Sequence, residues 1–227
     1  PLPGTAIEAA LIAPNLEKYS HSTPITYVGK YALESVAKAM KNPSVVLFAT
    51  HGFFRNKRAA DPHPSRLSAG SELPSATSVS LQPLENPLLN CGLLLAGCSA
   101  PDAGIGTAGD DGVLTGLEIA GINLHETHLV VLSACETGLG EVNNGEGVAG
   151  LRQSFQMAGA RSVISTLWSV PDRESALLVS DLFAALADGK SVSESLRNAQ
   201  LERIATRRER FGAAHPFYWA AFTLTGN

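Results

Sequence analysis

Apolar residues in this chain gather into short continuous runs separated by stretches with helical spacing. Val45-Val46-Leu47-Phe48-Ala49 is the clearest run, and its β-branched and aromatic content fits a strand buried on both faces. Similar runs at Gly92 to Ala96, Leu129 to Ala134 and Ser162 to Trp168 predict further strands. Ile25 to Val28 is a shorter candidate, and Tyr218 to Leu224 closes the series. Between them, Ala6 to Lys18 reads as an amphipathic helix with Ala9, Ile12 and Leu16 on one face. Ala32 to Met40 and Leu114 to Ala120 are shorter helical stretches, and Val148, Leu151, Phe155 and Ala158 line one side of another. After Pro171, Asp172 and Glu174 mark the first turn of a helix that Gly189 ends. Ser191 with Glu194 forms a capping box for the next one.

Strands alternating with helices predict an α/β fold, with an open and mostly parallel sheet covered on both sides. The whole of residues 1–227 reads as a single domain. Periodicity fails from Phe53 to about Pro87, in the glycine-rich stretch up to Gly112, and after Cys135, where Gly138, Gly140, Gly145 and Gly147 follow. Aperiodic segments of that length inside a compact domain are usually functional or mobile. The chain opens Pro-Leu-Pro, which suggests a piece of a longer polypeptide, its C-terminal part, or a processed form.

Composition narrows the classes of function. With 44% hydrophobic and 17% charged residues, the chain can bury an ordinary core without disulfides. A net charge of −4 gives no reason to expect nucleic acid or a membrane surface as partner. The apolar runs are too short to span a bilayer, and no signal peptide is visible. Cys91, Cys98 and Cys135 are odd in number and match no zinc spacing. Unpaired thiols fit a reducing, cytoplasmic compartment.

The chemistry concentrates at two strand tips. Ligands of open α/β sheets bind outside the carboxyl ends of strands. His51 follows the Val45 run and Cys135 follows the Leu129 run. On adjacent parallel strands the two face one crevice, where an imidazole takes the thiol proton and later protonates a leaving amine. Gly52 brings a backbone N–H beside the base without a side chain, so the amides of Gly52 and Cys135 are candidate oxyanion donors. Each such donor is worth roughly 3 kcal/mol. This chemistry needs no metal or organic cofactor. Asp110, Asp111 and Glu136 are acidic residues near the same tips and candidates for substrate binding.

The segments VVLFATHG at Val45–Gly52 and LVVLSACETG at Leu129–Gly138 resemble the two motifs of the CHAT domain, a caspase-like cysteine peptidase family of clan CD. The resemblance continues through Asn86-Pro-Leu-Leu, Asp111-Gly-Val-Leu-Thr, Gly145-Glu-Gly-Val, Ala158-Gly-Ala-Arg-Ser-Val and His215-Pro-Phe-Tyr-Trp. It implies a caspase-like three-layer α/β/α sandwich, with His51 as base and Cys135 as nucleophile of an endopeptidase acting on protein substrates. It also implies attachment behind tetratricopeptide repeats in a bacterial protein. The long segment Phe53 to Pro87 and the glycine-rich loop after Cys135 invite order–disorder control, and so latency until an upstream domain or partner activates the site. Relatives that use acidic pockets make a basic residue before the scissile bond one option for Asp110, Asp111 and Glu136. The alternative from another class is a catalytically silent interaction or scaffold domain that keeps the fold.

Other motifs have simpler explanations. Gly104 to Gly109 satisfies GxGxxG but lies within a loop, not between a strand and a helix. Gly189-Lys190-Ser191 resembles the tail of a P-loop but lacks its first glycine. His125 and His128 lack metal-ligand spacing, Cys98 reads as a structural thiol, and Arg55, Lys57 and Arg58 as a solvated loop or a self-processing site.

Overall fold

The computed structural model describes residues 3–54, 86–98, 110–133, 135–136 and 146–226. Its centre is a parallel ladder of β1 (Val45–Phe48), β5 (Leu129–Leu132) and β7 (Ser162–Thr166), with β8 (Phe222–Gly226) antiparallel along β7. A second ladder runs in the order β4 (Val113–Thr115), β3 (Cys91–Leu94), β2 (His51–Phe54) and β6 (Cys135–Glu136). In it β2 and β6 are parallel, while β3 is antiparallel to both of its neighbours.

The two ladders are continuous through their shared chain segments. Val45 pairs with Leu129 and His51 with Cys135, the same offset on both sides of a break at Ala49–Thr50 and at Ser133. Across that break the Ser133 N–H donates to the Phe48 carbonyl at 2.9 Å. The central strands are therefore parallel, with antiparallel strands at both edges.

The pleat explains why the runs are apolar throughout. Val46, Val130, Leu132 and Val163 enter one core, with Ala37 of α2 (Glu34–Lys38), Ile119 of α3 (Gly116–Ala120) and Leu151 and Phe155 of α4 (Glu146–Met157). Alternate residues Val45, Leu47, Leu129, Val131 and Ile164 enter the other. There they meet Ile12 of α1 (Pro3–Ser20), Leu178, Val179 and Leu182 of α5 (Asp172–Ala187), and Leu196 and Ala199 of α6 (Val192–Phe211). Two cores on the two faces of one sheet make the three-layer α/β/α sandwich, as expected.

Several local expectations change. Ile25 to Val28 pairs with no strand among the described residues, and Ile25 is 79% exposed. A short apolar run without a ladder leaves its backbone to water, so it stays irregular. The helix expected at Ala32 to Met40 shrinks to α2, preceded by a 3₁₀ turn at Gly29–Tyr31. Leu114 lies in β4, and the following helix starts only after Thr115, whose side chain caps it in a box with Glu118. The last strand begins at Phe222 because Pro216–Tyr218 forms a 3₁₀ turn.

The caps read from the sequence are in place. Ser191 accepts from the Glu194 N–H at 3.3 Å, while Glu194 accepts from the Ser191 N–H at 3.2 Å. Gly189 takes φ +81° after α5. Ser191→Ala is expected to cost about 1 kcal/mol, a fall of roughly 2–4 °C in Tm readable by calorimetry.

Candidate active site

Each strand-tip residue begins a second strand and does not end the first. Val45–Phe48 breaks at Ala49–Thr50 and resumes as β2 at His51; Leu129–Leu132 breaks at Ser133 and resumes at Cys135. The break is tied down by Ser133 on Phe48 and by the Thr50 hydroxyl, which donates to the Leu94 carbonyl. His51 and Cys135 are direct partners across the parallel β2–β6 pair, and Gly52 and Glu136 are the next pair. Residues 84 positions apart in sequence thus have neighbouring backbones at the carboxyl ends of β1 and β5.

His51 is partly buried and Gly52 is buried. Phe54 packs into the α2–α3–α4 core, so the pleat places His51 and Phe53 on the opposite face of β2. The Phe53 ring occupies the space that a Cβ on Gly92 would take, which explains the glycine in β3. Gly52 lies inside the ladder, with Leu93 along one edge and Glu136 along the other.

The acidic candidates occupy different surroundings. Val113 lies in line with His51 across β3, so Asp110 and Asp111, which precede it, lie beside the β1–β2 break. Two strand spacings separate β4 from β2, about 10 Å. The Asp111 carboxylate accepts from the Val113 N–H at 2.8 Å and is otherwise exposed. Asp110, with a side chain 10% exposed, is 3.7 Å from the Lys38 ammonium. Glu136 is placed by its pairing with Gly52.

Lys38 is the centre of a polar cluster that the hydrophobic pattern does not reveal. It bonds Glu118 at 2.8 Å and the buried Glu34, as well as reaching Asp110. Partial burial works against its charge, but the Glu118 and Glu34 carboxylates outweigh that and hold its pKa above the ordinary lysine value. Burial likewise pushes the Glu118 carboxyl up, and Lys38 with Thr115 more than reverse it. Glu34 also accepts from the Gly112 N–H at 2.9 Å, fixing the entry to β4. Gly112 takes φ +75° and packs against the 96–98 turn so closely that no side chain fits.

A second unforeseen residue is Glu8. It is 5% exposed on α1, in the i, i+4 series with Ile12 and Leu16. Burial raises its pKa to about 7; a smaller opposing effect comes from Ser133, and Asp172 adds to the rise. The signal in the sequence was a glutamate on the apolar stripe of an amphipathic helix.

Of the other thiols, Cys91 is fully buried, faces Gly116 and Gly150, and donates to the Leu88 carbonyl at 3.8 Å. Burial pushes its pKa up to about 11, against a small opposing effect from the Gly116 backbone, so it is an inert structural thiol. Cys98 lies partly buried in the turn after β3. No group of three metal-ligating side chains occurs among the described residues, and no described helix is long and apolar enough to cross a membrane. The Gly104–Gly109 motif, the Arg55–Arg58 cluster and the glycines from Gly138 to Gly145 lie outside the described residues.

Comparison with known proteins agrees with the motifs. The family described as "CHAT domain" matches residues 1–227, the full length of the chain. Two mammalian proteins called "Tetratricopeptide repeat protein 28" are similar over 115 residues: the mouse protein at 33% identity and the human protein at 30%. That segment is 51% of this chain and only 4% of either relative.

Proposed function

The chain belongs to the CHAT domain family, and from that premise we propose that it is a cysteine endopeptidase using His51 and Cys135. The observation that carries the reading is the direct pairing of these two residues across β2 and β6, at the carboxyl ends of the central parallel strands. Family membership alone supports a caspase-like, peptidase-related fold; pairing of an imidazole residue with a thiol residue at the strand tips supports the chemistry.

In the proposed reaction, His51 accepts the Cys135 thiol proton as sulfur attacks the carbonyl carbon of the substrate. A tetrahedral oxyanion forms, held by the backbone amides of Gly52 and Cys135. The C–N bond then breaks, and His51 returns its proton to the departing amine. Water, activated by the same imidazole, attacks the thioester and releases the carboxylic acid and the thiol. No metal or organic cofactor takes part in this scheme.

Protein substrates are the proposed partners, and Asp110, Asp111 and Glu136 are the proposed acidic wall near the site. Asp111 is the best placed of the three to meet a basic side chain, since its carboxylate is exposed while Asp110 is drawn to Lys38. The repeat-containing relatives support an upstream tetratricopeptide-repeat region as a regulatory partner. A cytoplasmic setting fits the reactive thiol.

Peptide-library cleavage by the full chain, with and without its upstream region, tests the reading against Cys135→Ala. Cleavage that disappears with Cys135 supports it. If wild type and Cys135→Ala are equally silent in both settings, and a thiol-directed probe leaves Cys135 unlabelled, the scaffold reading takes its place.

A further inference from the structure

Asp111 is an exposed acid near the strand tips, and the residues on both sides of it are held by one turn of α2. The Gly112 N–H donates to the Glu34 carboxylate at 2.9 Å, and Asp110 lies 3.7 Å from the Lys38 ammonium. Glu34 and Lys38 are themselves an i, i+4 ion pair. The same ammonium reaches Glu118 of α3 at 2.8 Å, so it ties the chain that enters β4 to the helix that follows it. From β3 the Leu95 N–H, just past the strand, donates to the Gly112 carbonyl at 2.7 Å and closes the turn on its other side.

These contacts fix the backbone on which Asp111 sits. Its own carboxylate accepts from the Val113 N–H at 2.8 Å, and Gly112 packs tightly on the 96–98 turn at φ +75°. Glu34 is 1% exposed, and a carboxylate buried so deeply needs a cation beside it. An apolar residue at position 34 would pack α2 without that requirement. It would also leave the Gly112 N–H without its acceptor. Lys38 is one ammonium among the carboxylates of Glu34, Asp110 and Glu118, with Asp111 next in the chain, so the surroundings of Asp111 remain negative.

We propose that Lys38 is a positioning residue for Asp111: by holding Glu34, Asp110 and Glu118 together, it sets the turn from which the Asp111 carboxylate meets a basic side chain of the substrate. The inference rests on the proposed role of Asp111 for its functional consequence, while the contacts that hold the turn stand without it. The Lys38 ammonium is itself engaged by three carboxylates, so it acts through the turn and not on the substrate. A lysine that only stabilised the fold would affect all substrates alike. A positioning lysine affects the discrimination between a charged and a neutral one.

The test compares kcat/KM of the full chain on two peptides that differ only in lysine or norleucine, its neutral near-isostere, before the scissile bond. Wild type is expected to prefer lysine, and Asp111→Asn to lose the preference. Lys38→Met is expected to lower the lysine-to-norleucine ratio about tenfold, mainly through KM, because a small misplacement of a binding group has effects of that size. The norleucine peptide is expected to be cleaved within about twofold of wild type. Lys38→Arg keeps the charge and is expected to keep the ratio, and Lys38→Met adds nothing in the Asp111→Asn background. Lys38→Gln, which still donates to Glu34 but cannot serve three carboxylates, carries the same expectation if Lys38→Met does not fold. An unchanged ratio in the Lys38 variants overturns the inference and leaves Asp111 in its role. A preference that survives Asp111→Asn removes Asp111 from substrate recognition, and the functional half of the inference with it.

Hydrogen exchange at the Gly112 and Val113 amides, which bond Glu34 and Asp111, reads the turn without any cleavage. Both are expected to exchange about tenfold faster in Lys38→Met, with Lys38→Arg restoring protection. Equal protection in wild type and Lys38→Met overturns the inference, whatever the peptides show. Faster exchange in a chain with no preference for lysine leaves the held turn standing and removes Asp111 from substrate recognition.

Discussion

Cys135→Ala is expected to reduce peptide-bond hydrolysis by this chain to background, and His51→Ala to lower kcat/KM by about 10²–10⁴-fold. The two losses differ in kind. Without Cys135 no covalent intermediate forms, so nothing remains for the imidazole to assist. Without His51 the thiol persists, and its small thiolate fraction at neutral pH still attacks, though without a proton to hand to the departing amine. The double variant is therefore expected to match Cys135→Ala, with no further loss. Steady-state cleavage of the best library peptide reads all three. A His51→Ala variant within twofold of wild type would falsify the assignment of His51 as base, and equal residual activity in Cys135→Ala would remove the nucleophile.

The placement of these two residues was legible because parallel strands have a strong sequence signature. Val45 to Phe48 and Leu129 to Leu132 are apolar at every position, since alternate side chains enter different cores. A run of that kind points to a central strand, and the residue following it points to the ligand-binding edge. The break at Ala49–Thr50 was not legible. Nothing in the pattern separates a strand that ends at residue 48 from one that pauses and resumes at His51, because the pause is set by Thr50 on Leu94 and Ser133 on Phe48, bonds to distant segments. β4 escaped notice for a related reason: three residues before a capped helix carry too little periodicity to mark a strand, and only β3 makes Val113–Thr115 one.

The polar residues divide in the same way. Ser191 with Glu194 is a local device, complete within four residues, and its spacing gave it away. Glu34, Lys38, Asp110 and Glu118 form a cluster whose members come from α2, from the chain before β4 and from α3. No spacing in sequence brings them together, so Asp110 looked only like an acid near a strand tip. Its ion pair with Lys38 ties it to the support of the 110–112 segment, while Asp111 keeps an exposed carboxylate on the same turn. Glu8 lies between these cases. Its place on the Ile12–Leu16 stripe is visible in the sequence, but its burial is supplied by the fold.

Glu8 also makes the stability of the whole chain depend on pH in a direction opposite to that of most carboxylates. Its ordinary pKa of 4.5 rises to about 7 in the folded chain, because burial, with Asp172, outweighs a smaller opposing effect from Ser133. Between those two values the folded chain holds a proton that the unfolded chain has lost. The unfolded state thus binds fewer protons in that window, and stability falls as pH rises through it. Below about pH 4.5 the group is neutral in both states, and above about pH 7 it is charged in both, so the dependence is confined to the interval. The full difference is about 3 kcal/mol, an expected fall of roughly 6–12 °C in Tm for a chain of this size. Glu118 acts in the opposite sense, since Lys38 and Thr115 hold its pKa down and its contribution is lost as pH falls. Comparison of wild type with Glu8→Gln cancels that effect and every other group the two share. Their Tm difference is expected to change by several degrees between about pH 5 and pH 8, in the sense of the wild type losing ground as pH rises. Parallel Tm profiles across that range would show that Glu8 titrates no differently in the folded and unfolded chain, and that its burial carries no energetic cost.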